Sequence, residues 1–281
     1  MTVHDLTPVQ KIAGMYFKRD DLFTPFGAGE VNGGKLRQCM MLVEAALRRQ
    51  PDMTGVITYC SIHSPQGPIT AATARHFRLP CVVAYGGASQ VSLATGSMPR
   101  LAMSYGARLE VLAKSGRHNV LKAKAEALAR AARMFVVQYG INLDDYGEVL
   151  LGAVAEQVQN VPDGLDDLYI TCGSGITASG VLVGIEKYGK NVKRVHLIST
   201  AYDRQEKVKA TLRRFGVERE FIYHDLFHTP GFVYEKQQKM RIGGVKLHPQ
   251  YEAKTMKYLV EHDLNTENAL FWIVGAEPRE R

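Results

Sequence analysis

Lys35 ends the run Gly33-Gly34-Lys35 and begins, with Leu36-Arg37, an apolar-periodic stretch over residues 36–47. Two consecutive glycines let the backbone turn in ways closed to other residues and leave room beside it for a flat ligand. An amine at the mouth of a helix can form a Schiff base with an aldehyde if burial, or a neighbouring cation such as Arg37, lowers its pKa. The same lysine also reads as an ordinary solvated residue of a first helical turn. A phosphate-loop reading fails. Residues 29–35 have the GxxxxGK spacing, but Leu36 stands where a magnesium-binding Ser or Thr is required, and residues 19–25 are polar and proline-broken where a buried strand is needed.

Three more stretches carry chemistry. Gly173-Ser174-Gly175-Ile176-Thr177 follows an apolar run and precedes a helical one. Backbone N–H groups bared by glycine, with two hydroxyls added, make a cradle for phosphate there, though a plain Gly-rich strand-to-helix turn looks the same. In Cys60-Ser61-Ile62-His63-Ser64-Pro65-Gln66-Gly67, Ser64 offers a hydroxyl to a carboxylate or to proton transfer, and Gln66 offers an amide. His63 is a candidate base, but a lone loop histidine is more often a hydrogen-bond partner. In the stretch 248–256, Tyr251 opens a helix where its phenol can polarise a bond or shuttle a proton. Glu252 in the first turn suits the helix dipole and can also hydrogen-bond a protonated ring nitrogen.

These pieces need a scaffold that presents loop ends together. Apolar runs at 55–60, 80–85, 108–112 and 135–138 alternate with helical patterns at 69–77, 93–105 (broken near Pro99) and 120–134. Such alternation predicts a parallel sheet with right-handed crossovers. Further strands are expected at 168–172, 194–199 and 269–274, with helices at 147–160, 178–188, 206–215 and 251–261. Residues 15–18 read as a strand or packed arm, and 221–226 as mixed. The fold class is α/β: two three-layer α/β/α domains with mostly parallel sheets, a large one from 1–50 plus 141–281 and a small one from 51–140.

With 46% hydrophobic and 22% charged residues in 281, the composition is that of a soluble globular protein. No apolar run approaches the roughly 20 residues that span a bilayer, and His4, Asp5 and Pro8 argue against a signal peptide. Four scattered cysteines without CxxC spacing read as buried, reduced thiols of a cytoplasmic protein. Nine histidines without paired or HExxH spacing give no metal centre. The net charge of +7 suits an anionic ligand or a polyanionic partner, yet the basic residues are dispersed, as on an ordinary solvated surface.

A lysine after a glycine turn, a phosphate cradle, a Ser/Gln loop and a Tyr-Glu pair make a set for holding pyridoxal 5'-phosphate. The chain resembles the tryptophan-synthase-β-like, fold type II pyridoxal-phosphate enzymes, particularly the branch of 1-aminocyclopropane-1-carboxylate deaminase and D-cysteine desulfhydrase. The matching pieces are Lys18-Arg19-Asp20-Asp21-Leu22, Gly34-Lys35-Leu36-Arg37, Ile62-His63-Ser64-Pro65-Gln66, residues 171–180 and residues 249–256. They cover the chain nearly end to end. The resemblance implies a cofactor in the cleft between two domains, bound as an internal aldimine by Lys35, which also moves the substrate α-proton. It implies that Gly173, Ser174, Gly175, Ile176 and Thr177 hold the phosphate and that Glu252 lies near the pyridine nitrogen. Ser64 and Gln66 would meet the substrate carboxylate, and Tyr251 would face the substrate; Lys35, Ser64 and Tyr251 would be catalytic. A homodimer is implied as well.

Three departures stand out: Gly34 and Pro65 occupy positions where the family usually has Asn, and Val274-Gly275-Ala276-Glu277 replaces a Thr/Gly-Gly turn. The expected activity is that of a lyase or deaminase acting at Cα or Cβ of a small amino acid by elimination, deamination or β-replacement. One alternative is an enzyme that modifies, for example decarboxylates, an amino acid attached to a larger carrier such as a nucleic-acid base. A non-catalytic binding protein of the same fold is the other.

Overall fold

A computed structural model describes residues 1–114, 116–141, 144–234, 236–264 and 266–278. The chain opens with a hairpin, β1 (Val9–Ile12) and β2 (Met15–Arg19). It continues through α1 (Gly34–Arg49), β3 (Gly55–Tyr59), α2 (Gln66–His76), β4 (Cys81–Gly86), α3 (Gln90–Thr95), α4 (Ser97–Ser104), β5 (Arg108–Ala113), α5 (His118–Ala132) and β6 (Met134–Val137). After α6 (Gly147–Ala155) come β7 (Leu165–Cys172), α7 (Ile176–Lys187), β8 (Val192–Ser199), α8 (Gln205–Arg214) and β9 (Ile222–Asp225). A short pair, β10 (Arg241–Ile242) and β11 (Val245–Lys246), precedes α9 (Glu252–Glu261) and β12 (Ala269–Ile273).

Two compact units result. The first comprises Met1–Pro25, Asn32–Gly34 and Leu150–Glu277; the second is built from Phe26–Val31 and Lys35–Val149. These ranges differ from the expected ones in where they place α1 and the 141–149 segment. From Lys35 onward α1 goes with the second unit, where Cys39 Sγ meets Thr70 Oγ1 of α2 at 4.0 Å. At its far end the Arg49 guanidinium lies 4.4 Å from the Tyr146 ring centroid and donates to the Asp145 carbonyl at 3.2 Å.

The first unit holds a six-stranded sheet in the order β1-β2-β12-β7-β8-β9, parallel throughout except for the opening hairpin. Register pairs Ile273 with Arg19, Trp272 with Ile170 and Cys172 with Ser199. Asp20, Val274, Gly173 and Thr200 therefore leave neighbouring strands along one edge. Alternate residues face opposite layers. Ile170, Leu197 and Trp272 join the core with Val181 and Leu182 of α7 and Leu212 of α8, whereas Tyr169, Ile198 and Phe271 join the core with Met256 and Leu259 of α9.

α7 approaches the 154–158 segment at backbone distance. A Cβ on Gly180 would lie 2.6 Å from Val154 Cβ, and one on Gly184 would lie 2.8 Å from Ala155 Cα. Since α7 starts where the Gly173–Thr177 turn ends, this packing fixes the turn.

The second unit carries a parallel sheet, β5-β4-β3-β6. Ile57, Tyr59, Val82 and Ala84 form a core with Leu121, Ala125 and Ala129 of α5. The helix expected over 93–105 is two helices that meet at Gly96, not at Pro99. Pro99 sits in the first turn of α4, where an N–H has no intrahelical partner to lose.

Candidate functional site

At the carboxyl edge of the larger sheet, the Lys18–Asp21 stretch is a buried polar network. Lys18, fully buried, donates to the Thr7 carbonyl at 2.8 Å and to Asn160 Oδ1 at 2.7 Å. Asn160 Nδ2 reaches the same Thr7 carbonyl at 2.8 Å. Arg19 and Asp21 form a two-pronged ion pair at 2.8 and 2.7 Å. Asp20 accepts from Thr7 Oγ1 at 2.6 Å and from the Trp272 indole at 2.9 Å. Buried charges are tolerated when paired in this way, so the stretch serves as a frame.

The frame explains both glycines before Lys35. Gly33 has φ +90°, and a Cβ there would stand 2.4 Å from the Val274 carbonyl oxygen. Gly34 donates its N–H to that carbonyl at 2.8 Å. A Cβ on Gly34 would stand 2.9 Å from Asp20 Oδ2, which the Trp272 indole already holds. The residue expected to be Asn is glycine because a carboxylate occupies the side-chain space.

The Gly173–Thr177 turn leaves β7 and enters α7. Gly175 caps the helix in the left-handed region at φ +85°. A Cβ on Gly173 would meet nothing within 4 Å. The Ile176 side chain is buried, so that position can give only its backbone N–H to a ligand. The first N–H groups of α7 lack intrahelical partners and carry the positive end of the dipole, the arrangement that binds phosphate.

α9 is tied to this turn, because Thr171 Oγ1 donates to Thr255 Oγ1 at 2.8 Å two residues before Gly173. Its first residue, Glu252, is buried. Oε1 accepts from the Val274 N–H at 3.1 Å, while no described group engages Oε2. Burial pushes this carboxyl up to about 7 against the pull of the backbone N–H groups. A carboxyl poised near neutrality can share a proton with a heteroaromatic nitrogen. Tyr251, half-buried at the cap of α9, lies against His248 with ring centroids 5.0 Å apart. Burial holds His248 down to about 4, and its Nδ1 accepts from the Gln250 N–H at 3.2 Å.

In the second unit Lys35, half-buried in the first turn of α1, donates to the Gly140 carbonyl at 3.3 Å. Gly140 and Ile141 both lie in the left-handed region, at φ +73° and +53°. That conformation is strained for a β-branched residue, and the full burial of Ile141 holds it.

Gln66 braces the same turn. Its Oε1 accepts from the Gly140 N–H at 2.7 Å, and its Nε2 donates to Thr58 Oγ1 at 2.8 Å and to the Gln138 carbonyl at 2.9 Å. Both amide hydrogens thereby have partners within the second unit, and Gln66 frames the Gly140 turn. Ser64, half-buried, accepts from the Gln66 N–H at 3.2 Å, which leaves its O–H to donate. His63 is exposed. Pro65, where the family usually has Asn, stands at the N-cap of α2.

The donor set of the first unit fits a phosphorylated pyridine: a glycine turn for the phosphate, and a buried carboxyl oxygen with no described partner for the ring nitrogen. The second carries the amine on which an aldehyde would be held. The sequence singles these groups out, but it gives no signal for Asp20 as the occupant beside Gly34.

No family model matches the chain. The O-seryl-dTMP PLP-dependent decarboxylase of Salmonella phage ViI is 26% identical across 97% of this chain and 82% of its own length. Among solved structures, an ACC deaminase homologue superposes with a TM-score of 0.78 at 22% identity, covering 99% of this chain and 91% of the homologue. Serine racemase from Dictyostelium discoideum gives 0.63 at 15% identity, over 98% and 93%. Threonine deaminase isoform 2 from Solanum lycopersicum gives 0.61 at 14%, over 96% and 84%.

Proposed function

We propose that this chain, which has the fold of the fold type II pyridoxal-phosphate enzymes, is itself a pyridoxal-phosphate-dependent enzyme acting on an amino acid. The observation that carries the reading is the buried Glu252 carboxyl, with Oε2 unengaged by any described group, tied through Thr255 and Thr171 to the Gly173–Thr177 turn. When bound, the cofactor withdraws electrons from Cα so that a bond there can break. Lys35 holds the cofactor and carries a proton to or from Cα. Gly173, Ser174, Gly175, Ile176 and Thr177 bind the phosphate, and Glu252 holds the ring nitrogen. Ser64 donates to the substrate, Tyr251 faces it, and Gln66 positions the turn on which the Lys35 amine rests. The test is reconstitution of the apoprotein with pyridoxal 5'-phosphate, borohydride reduction and peptide mapping. The label is expected on Lys35, and Lys35→Ala should abolish it. An unlabelled wild type, or a label elsewhere, overturns the reading.

The bond we assign is the one to the carboxylate, in an amino acid carried on a nucleotide. The phage relative supports this, as does the positive net charge. So does the Ser64–Gln66 loop, because a carboxylate gripped by fewer donors is lost more readily as carbon dioxide. In that reaction Lys35 returns a proton to Cα. Deamination of a free amino acid is the second reading, favoured by the likeness to the ACC deaminase homologue. Carbon dioxide released from a seryl-thymidylate oligonucleotide supports the first; ammonia released from free amino acids supports the second.

A further inference from the structure

The Gly173–Thr177 turn has a neighbour to which the sequence gives no role: the turn between β8 and α8. Register pairs Cys172 with Ser199, so the next residues, Gly173 and Thr200, leave adjacent parallel strands side by side. Thr200 is fully buried, and no described group engages its hydroxyl. Four residues on, Arg204 caps α8, and its Cβ lies 3.8 Å from the Cβ position of Gly175. The buried Nε of Arg204 also has no hydrogen-bond partner among the described residues. Its acidic neighbour Asp203 is exposed and accepts from the Gln205 N–H at 2.8 Å. Thr200 and Arg204 thus stand beside the two glycines of a turn whose backbone N–H groups already favour an anion.

We propose that Thr200 and Arg204 belong to the phosphate site, adding a hydroxyl and a cation for a phosphate monoester, that of the bound cofactor. The assignment rests on the cofactor reading above. A half-buried guanidinium suits a phosphate dianion because its planar N–H donors match two oxygens at once.

Apoprotein of the wild type and of Thr200→Val, Arg204→Ala and Arg204→Lys is titrated with pyridoxal 5'-phosphate and with pyridoxal, which lacks the phosphate. Arg204→Ala is expected to weaken the phosphorylated ligand by roughly tenfold or more and Thr200→Val by a few-fold, with Arg204→Lys between Ala and wild type. Pyridoxal affinity should not move. Equal losses for both ligands, or no loss for either, overturn the proposal, and so does a loss confined to an oligonucleotide. If Arg204→Ala does not fold, the other two variants carry the same test. Inorganic phosphate, followed by its phosphorus resonance, separates this proposal from the one it rests on. Phosphate bound by the wild type and released by Thr200→Val supports the site even if the protein takes up no cofactor.

Discussion

Glu252 couples the site to pH. Its carboxyl is pushed up by burial from an ordinary 4.5 to about 7, so the folded apoprotein holds this proton more tightly than the unfolded chain does. The resulting stabilisation is complete below pH 4.5 and is lost as pH rises through about 7. Glu252→Gln should flatten that slope and leave the apoprotein more stable above neutrality, by on the order of 3 kcal/mol. Urea melts across the pH range check this, and an unchanged slope would remove Glu252 from the account. Gly34 makes a second prediction. Gly34→Asn, which restores the residue usual in the family, should cost about 1–3 kcal/mol because Asp20 cannot yield the space. Pairing it with Asp20→Ala should show non-additive thermal shifts.

Lys35, the glycine turn and Glu252 stand out in the sequence because each sits beside its own local signal. The bond from the Gly140 N–H to Gln66 has no local signal, because the two residues lie 74 positions apart.

α7 leads out of the Gly173–Thr177 turn and packs closely through its glycines. Gly184→Ala would set a Cβ against the Ala155 backbone, so we expect a loss of about 1–3 kcal/mol. If α7 positions the cradle, the same variant should also lose affinity for pyridoxal 5'-phosphate while retaining that for pyridoxal. Titration of the folded variant decides this, and equal affinities would separate the helix from the turn. The alternation of buried strands and helices was visible in sequence because β3, β4, β12 and the 168–172 part of β7 are short, largely apolar runs. β1 escaped notice: it is a four-residue edge strand with no fully buried position, so no apolar rhythm marks it. β10 and β11 are two residues each, too short for any period. β9, read as mixed, is the opposite edge of the same sheet.

Over the molecule as a whole, all four cysteines are free and buried, as their scattered spacing suggested. Burial pushes Cys39 up to about 11 and Cys60 up to about 12, which keeps both as thiols at neutral pH. A thiol reagent should find almost nothing in the native protein and four groups in denaturant; fast native labelling would contradict the buried placement. Among the described residues no helix is long and apolar enough to cross a membrane. If the positive net charge serves a nucleotide carrier, oligonucleotide affinity should fall steeply with added salt. Titrations at several salt concentrations measure the slope, and a flat one would count against the carrier.

The placement of β12 between β2 and β7 has a consequence for how the protein is made. Residues 35–149 hold all four strands of their own sheet and can close it as soon as they clear the ribosome. The larger sheet has no such freedom, since β2 waits for β12, a neighbour that follows every other strand of that sheet in chain order. Until β12 follows, Asp20 lacks Trp272 and β2 lacks its parallel neighbour, so the hairpin stays at the edge of an unfinished sheet by the order of synthesis itself.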